Sequence, residues 1–501
     1  MSVRAGPRGA VLLAAGVAWG CGDAVTPRAP PLVARLEVFA ADSGLLVGHT
    51  LQLQVTAWDS SGAVITPARI EWRSTDPGVL TVDSTGLVLG HVGGEGAVYG
   101  WVPPSTVVDT LGVHVAVHGE VKWRLALGFM PIAGGPAQAA DGTLYVLGAG
   151  DLGAQQVTLF AITPRGAVSW QQRLTQVNGT NYVVVGPDAA PYVIGQHGWA
   201  FRSDGSLRWS LTIRPIEPVP DIPDFHAGAL SADGTLYAAM GYDLFAFRAS
   251  TGDTVWQGPR AEDAGWRLPP TVSADGRTAY VKNTGDSLYA FAAPTGTIRW
   301  GTADPDTVPD NRSYGVGPAV DGGRLLLPLT AQLQEIDTGG TPGLMGPNCG
   351  RGISEPAVAP DGTLYVQYRG CYLQAYRPVN VSLWLVPIVP RWPWYGGPAL
   401  AQGGVLYTAA IDGFYALDVS PAGGSVRWRY PPDPAERLAF VGAPLIGPDG
   451  TVYTFTSCNW GRDQIPCSDE LIAFWEDKPV EPASPWPMWR HDARRSGQAG
   501  P

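Results

Sequence analysis

No apolar run near the start of this chain can cross a membrane as a helix. The stretch 10–20 has eleven residues, against the roughly 20 that a bilayer core requires. Cysteine is scarce, 5 in 501 residues, and no two are adjacent. That excludes a disulfide-dense small fold. Charged residues make up only 15% of the chain and leave a net charge of −11. An acidic surplus argues against nucleic acid and anionic membrane surfaces as main partners, since both need a basic patch. Long amphipathic helical patterns are absent. So are a Gly-x-Ser-x-Gly elbow, a phosphate loop and a metalloprotease helix. The seven His are scattered, and His197, His226 and His491 have no partner at a catalytic offset.

What the chain has in abundance is turn chemistry. Gly 65 and Pro 46 occur without a collagen-like period, so they belong to tight turns between many short strands. One phrase keeps returning: Asp141-Gly142-Thr143-Leu144-Tyr145, Asp233-Gly234-Thr235-Leu236-Tyr237, Asp361-Gly362-Thr363-Leu364-Tyr365 and Asp449-Gly450-Thr451-Val452-Tyr453. Weaker copies end at Tyr192, Tyr280, Leu326 and Tyr407, so successive steps are 47, 45, 43, 46, 39, 42 and 46 residues. Strand-and-turn units at that period predict a β-propeller.

Arg4 and Arg8 before the short apolar run read as an export signal over residues 1–20. Cys21 follows Ala18-Trp19-Gly20, an arrangement that resembles the lipobox of bacterial lipoproteins. The resemblance implies that Cys21 is lipidated, by more than one acyl chain if the anchor is to hold. The Pro-rich stretch 21–32 reads as a tether.

Residues 33–117 form a different pattern. Leu51, Leu53, Val55 and Ala57 alternate with Gln52, Gln54 and Thr56, which predicts one half-buried strand. Further strands are expected at 34–39, 70–73, 79–82, 97–101 and 111–117, making a β-sandwich with Trp72 in its core. Val47-Gly48-His49-Thr50-Leu51, Ile70-Glu71-Trp72-Arg73-Ser74 and Val82-Asp83-Ser84-Thr85-Gly86-Leu87-Val88 resemble the group 2 bacterial Ig-like domain. The resemblance implies a surface module used as a spacer or an adhesive contact.

In the repeats, Asp-Gly predicts a two-residue hairpin turn, and the strand after it ends in Tyr. A third strand of the type Leu288-Tyr289-Ala290-Phe291 follows, and a fourth carries Trp: Trp170, Trp209, Trp256, Trp300, Trp384 and Trp428. Between Trp300 and Trp384 one unit reads Gly343-Leu344 instead. The last unit has no fourth strand, but the chain before the first repeat, with Trp123, supplies one. That predicts eight blades over 118–478, closed by an N-terminal strand, which removes two exposed edges. The recurrent Trp is read as packing between blades. Leu-Tyr-Ala-Phe strands with Gly-x-x-x-Trp strands resemble the pyrroloquinoline-quinone-like propeller superfamily. That family includes quinone dehydrogenases and a non-enzymatic lipoprotein of the outer-membrane barrel-assembly machine. The Pro487-Met488-Trp489-Arg490-His491-Asp492 stretch resembles a tail found beside such repeats, so 479–501 is expected to dock on the propeller, with His491 and Asp492 incidental.

The quinone enzymes resembled here use adjacent cysteines and a calcium held by Glu, Asn and Asp. This chain lacks the cysteine pair, so no cofactor is expected. Cys349, Cys371, Cys458 and Cys467 are an even set in an exported chain. They predict Cys458–Cys467 and Cys349–Cys371 disulfides, with a zinc site the alternative that their spacings fit poorly. Asp304, Asp306 and Asp310, and Asp221 with Asp224, lack the alternation of a calcium loop. Asn178, Asn311 and Asn380 head chance Asn-x-Ser/Thr triplets. The reading is therefore all-β: an Ig-like sandwich, an eight-bladed propeller and a tail. Its expected role is a monomeric, lipid-anchored, non-catalytic envelope or surface protein that binds a protein or glycan. A quinone dehydrogenase or polysaccharide lyase, or an outer-membrane assembly scaffold, are the alternatives.

Overall fold

The computed structural model describes residues 32–499, apart from short stretches, chiefly 150–155, 213–224, 260–268, 303–316, 346–352, 389–396, 433–438 and 458–468. Among the described residues every element is a β-strand, and none is a helix long and apolar enough to cross a membrane. The chain divides into two compact units, 1–115 and 116–501.

The first unit is built of three small sheets. Arg35–Phe39 pairs with Gln54–Trp58, while Thr50–Gln52 pairs with Leu87–Gly90. The alternating run Leu51 to Ala57 is thus two strands and not one. The chain passes from one sheet to another at Leu53, whose N–H is drawn to the Gly86 carbonyl at 2.9 Å. Alternation continues through the switch because both halves bury the same side, and so the break leaves no mark in the pattern. Trp72 lies between Gly86 and Gly100. A Cβ on either glycine would stand 2.9 Å from its ring, so the indole is part of the packing around Leu80, Val88 and Val98.

The second unit contains eight successive sheets among the described residues. Their connections follow one plan, an antiparallel run from first strand to fourth. Gly228–Leu230, Thr235–Met240, Asp243–Arg248 and Thr254–Gln257 are a typical set. Second strands such as Val405–Ala410 are buried along their whole length. A strand covered by neighbouring sheets on both faces has no polar side to alternate with, which explains its continuous apolar reading. The strand also runs past its Tyr instead of ending there, as Thr235–Met240 shows around Tyr237.

The Asp-Gly turn is a three-residue loop. Ala139 N–H reaches the Thr143 carbonyl at 2.9 Å, and Gly142 N–H reaches the Ala139 carbonyl at 3.0 Å. Only the glycine takes positive φ, +86°, while the Asp141 carboxylate accepts the Thr143 N–H at 2.9 Å. This is a type I turn with a bulge, not the two-residue turn expected. Its Asp serves as a side-chain acceptor within the loop.

The eighth sheet runs Ala439–Ile446, Val452–Ser457, Glu470–Phe474 and then Val121–Ala126 from the other end of the unit. Trp123 is paired with Ala473, and Leu125 with Leu471. The fourth strand of the last sheet is therefore the first long strand of the unit, and the unit's first and last long strands meet in one ladder.

Candidate functional site at the hub of the ring

Seven tryptophans, Trp123, Trp170, Trp209, Trp256, Trp300, Trp384 and Trp428, occupy the same place on fourth strands. Each ring lies 5.7–6.1 Å from the Tyr of its own sheet: Tyr453, Tyr145, Tyr192, Tyr237, Tyr280, Tyr365 and Tyr407 in that order. Six indole N–H groups donate to a backbone carbonyl of the next sheet, at Pro164, Ser203, Ala249, Ala293, Thr338 and Ser420, over 2.7–2.9 Å. A glycine of that next sheet faces each ring so closely that a Cβ would come within 2.5–2.9 Å of it. Trp contacts of this kind join successive sheets and, through Trp123 and Pro164, the last to the first, except between the fifth and sixth, where Leu325, Leu326 and Ile336 share one core with Val358, Leu364 and Tyr376. The sheets therefore stand in a closed ring.

At the seventh seam there is no continuous turn to supply the carbonyl, because the third and fourth strands of the eighth sheet come from opposite ends of the unit. Here the Glu476 carboxylate accepts the Trp428 N–H at 2.7 Å, and Gly119 supplies the face. His118 Nδ1 lies 3.1 Å from the other Glu476 oxygen. Among the described residues, His118, Glu476 and Asp477 are the one His/carboxylate group compact enough to hold a metal. The carboxylate's contacts to Trp428 and His118 already give this group a role in closing the ring.

First strands face the axis, and the C-terminal tail runs across them. Val358 N–H donates to the Trp486 carbonyl, Leu400 N–H to Pro487, Val185 N–H to Arg494 and Leu230 N–H to Ser496, at 2.8–2.9 Å. Trp486, Met488, Arg490 and Arg495 are all buried. The Arg490 guanidinium donates to the Pro270 carbonyl at 2.6 Å and the Gly228 carbonyl at 3.0 Å. Arg495 donates to Pro136 at 3.0 Å, Pro444 at 3.1 Å and Ala443 at 3.4 Å. Glu355, at the entry to the sixth sheet, accepts from the Trp486 indole and, at 2.8 Å, from the Arg490 N–H. These contacts reach first-strand segments of seven sheets. At the fifth, Gly317 approaches Arg490 so closely that a Cβ would lie 3.1 Å from its guanidinium.

Electrostatics set the terms of this packing. Burial raises the Glu355 carboxyl above its ordinary range, against the opposing charge of Arg490. Burial also lowers both guanidinium groups, Arg495 to about 9. Burial works against the Asp492 charge too, but His491, Arg494 and the Ser496 N–H together hold its carboxyl down at about 2. Its Oδ1 accepts that N–H at 2.9 Å. Asp492 is thus not incidental: it turns the tail between its two buried arginines.

The other singled-out residues bear on the site differently. Cys21, Cys349, Cys371, Cys458 and Cys467 lie outside the described residues, as do Asp221, Asp224, Asp304, Asp306, Asp310, Asn178, Asn311 and Asn380. Glu355 and Arg495 escape sequence reasoning because their partners come from distant segments, N–H donors of the tail for Glu355 and backbone carbonyls for Arg495. Only the unusual Pro487-to-Asp492 stretch marks the place.

A closed ring of radial, mostly four-stranded sheets is a β-propeller. Residues 110–268 match the family described as outer membrane protein assembly factor BamB. BamB from Moraxella catarrhalis has a similar structure, with a TM-score of 0.50 and 15% identity over 70% of this chain and 98% of that one. The quinohemoprotein alcohol dehydrogenase of Comamonas testosteroni is similar at a TM-score of 0.53 and 15% identity, over 71% of this chain and 76% of that one. A europium-containing methanol dehydrogenase gives 0.52 and 13%, over 71% and 93%. The serine/threonine-protein kinase AfsK of Streptomyces coelicolor is 27% identical over 301 residues, 52% of this chain and 36% of the kinase. The chain thus spans about a third of that curated relative's length.

The dehydrogenase likeness raises the question of a quinone on the axis. The hub residues do not fit one. Inner-strand carbonyls at Pro136, Gly228, Pro270, Ala443 and Pro444 already accept from the tail's arginines, and the adjacent cysteine pair is lacking.

Proposed function

We propose that the chain is a non-catalytic, lipid-anchored cell-envelope protein, in which an Ig-like module accompanies an eight-bladed propeller that binds a protein or glycan. One observation carries the reading: the axis, where a propeller enzyme would place its chemistry, is filled by the chain's own tail, whose Trp486 indole and Arg490 and Arg495 guanidinium groups are hydrogen-bonded there. The repeated aromatic residues are used in packing. What varies from blade to blade, the loops and the outer strands, is left for recognition. Similarity to an outer-membrane assembly factor supports an envelope address and favours a protein ligand over a glycan.

The test uses intact cells. Photo-crosslinking residues placed at the exposed outer-strand positions Leu207, Val255 and Ile298 are expected to trap a defined partner, whereas the same residue at exposed Val64 of the first unit does not. Cys21→Ser is expected to move the protein from the membrane to the soluble fraction. A purified protein with a quinone absorption band and dye-reducing activity would overturn the non-catalytic reading. Unchanged sedimentation of the Cys21 variant would overturn the anchor.

A further inference from the structure

We propose that the hub is a sequence-reading peptide receptor and that residues 483–501 are its ligand, bound in cis but recognised in a way that allows binding in trans. Four observations lead there. First, the ring is complete without the tail, because the eighth sheet takes its fourth strand from Val121–Ala126. Second, the tail extends no sheet. Its strand-like contacts are single bridges, Ala401 with Val480, Val358 with Trp486 and Val272 with Gln498, on three different sheets.

Third, the tail's backbone has a conformation it would not hold alone. Arg490, His491 and Arg495 have φ of 58°, 75° and 57°, in the left-handed region that costs an L-residue with a Cβ on the order of 1–2 kcal/mol. Three such residues within six positions are sustained only when the surroundings fix them. The conformation is that of a bound peptide, imposed by its receptor.

Fourth, recognition is by side-chain chemistry. Glu355 accepts both the Trp486 indole N–H and the Arg490 backbone N–H. Two carbonyl cages, Gly228 with Pro270 and Pro136 with Ala443 and Pro444, each take one guanidinium. Carbonyls held by sheet backbones cannot turn to suit another donor, and a planar fork meets them where a lysine ammonium cannot. The ligand class is therefore a turned segment carrying Trp and two Arg at the spacing of 486, 490 and 495. The segment offered in trans is the same one from a second copy of this chain.

The exposed Pro482-Ala483 turn allows a direct test in the full-length protein. A specific protease site inserted there lets the folded chain be cut, and the labelled peptide 483–501 is then added. The peptide is expected to replace the resident tail one for one, and the ring is expected to keep its sheet signal after the tail is diluted away. A peptide with Arg490→Lys and Arg495→Lys should compete about 100-fold less well, since each change loses charged hydrogen bonds. These variants reside in the added peptide, so the ring's folding is untouched. Three results would overturn the proposal: a cut tail that never exchanges, a ring that unfolds once the tail has left, or a lysine peptide that competes as well as the parent. None of these bears on the crosslinked partner or the membrane anchor, so this proposal and the binding-scaffold reading can fail separately.

Discussion

At the scale of single residues, the blades are joined by an indole placed between a tyrosine and a glycine, and the glycine is the least replaceable member. Gly296 has φ +71° and faces Trp256, and a Cβ there would stand 2.5 Å from the ring. Gly234 has φ +83°, with nothing within 4 Å. Both alanine substitutions incur the left-handed backbone penalty, but only Gly296→Ala also overpacks a seam. Gly234→Ala is expected to cost about 1 kcal/mol and Gly296→Ala about 3 kcal/mol or more, read as urea midpoints at unchanged slope. Equal losses would show that the backbone, and not the indole, sets the requirement. The second repeat supplies the converse case. Ala189 stands where other copies have glycine, at φ 60°, in the same hydrogen-bonded loop from Gly186 to Ala190. Ala189→Gly should therefore stabilise the protein, by about 0.5–1 kcal/mol. A fall in thermal midpoint would contradict that.

At the scale of elements, the eight seams are not alike. Between the fifth and sixth sheets the Tyr position is Leu326, the Trp position is Leu344, and residues 378–380 contain no glycine. All three members of the sandwich are missing together, as expected when each has value only beside the others. In their place, Arg324 pairs with Asp321, and with Glu335 at 3.5 Å. Among the described residues the buried Tyr376 hydroxyl has no hydrogen-bond partner, and burial raises both its pKa and that of Glu335. A seam without the aromatic pair and its indole hydrogen bond gives up roughly 2–3 kcal/mol of adhesion. Amides of Leu333–Asp337 should consequently exchange with deuterium faster than those of Leu288–Ala292, the same strand one sheet earlier. Equal or slower exchange would show that the polar replacement holds as firmly. This contrast also marks how far the sequence is legible. Tyr, Trp and Gly recur because each seam needs the same shapes, so period and all-β class are readable from their spacing. The split at Leu53 and the three-residue turn are not, because an alternating pattern and an Asp-Gly pair are compatible with either outcome. The hub is least legible of all: Arg490 and Arg495 are ordinary polar residues until backbone carbonyls from distant sheets surround them.

At the scale of the whole molecule, two kinds of connection hold the chain together. The first unit gathers its core from Leu36, Leu53, Leu80, Val98 and Val113, all within 1–115. The second closes on itself only when Val121–Ala126 reaches Glu470–Phe474, across nearly the whole length of the unit. Such a contact is formed at the expense of a long loop, yet once made it leaves no seam from which the ring can fray. Cooperativity should therefore follow the units and not the blades. Calorimetry of the full chain is expected to show one transition for the ring and a separate one for the first unit, with no transition for single sheets. Trp123 is the side chain that distinguishes the two. It belongs to the closing strand, packs on Tyr453 at 5.8 Å and donates to Pro164 at 2.8 Å, so it joins the eighth sheet to the first. Trp123→Ala should lower the ring's transition by about 3 kcal/mol and leave the other transition where it was. If both transitions moved together, the two units would be one cooperative body. If the ring instead split into several steps, closure by the N-terminal strand would not be what makes eight sheets unfold as one.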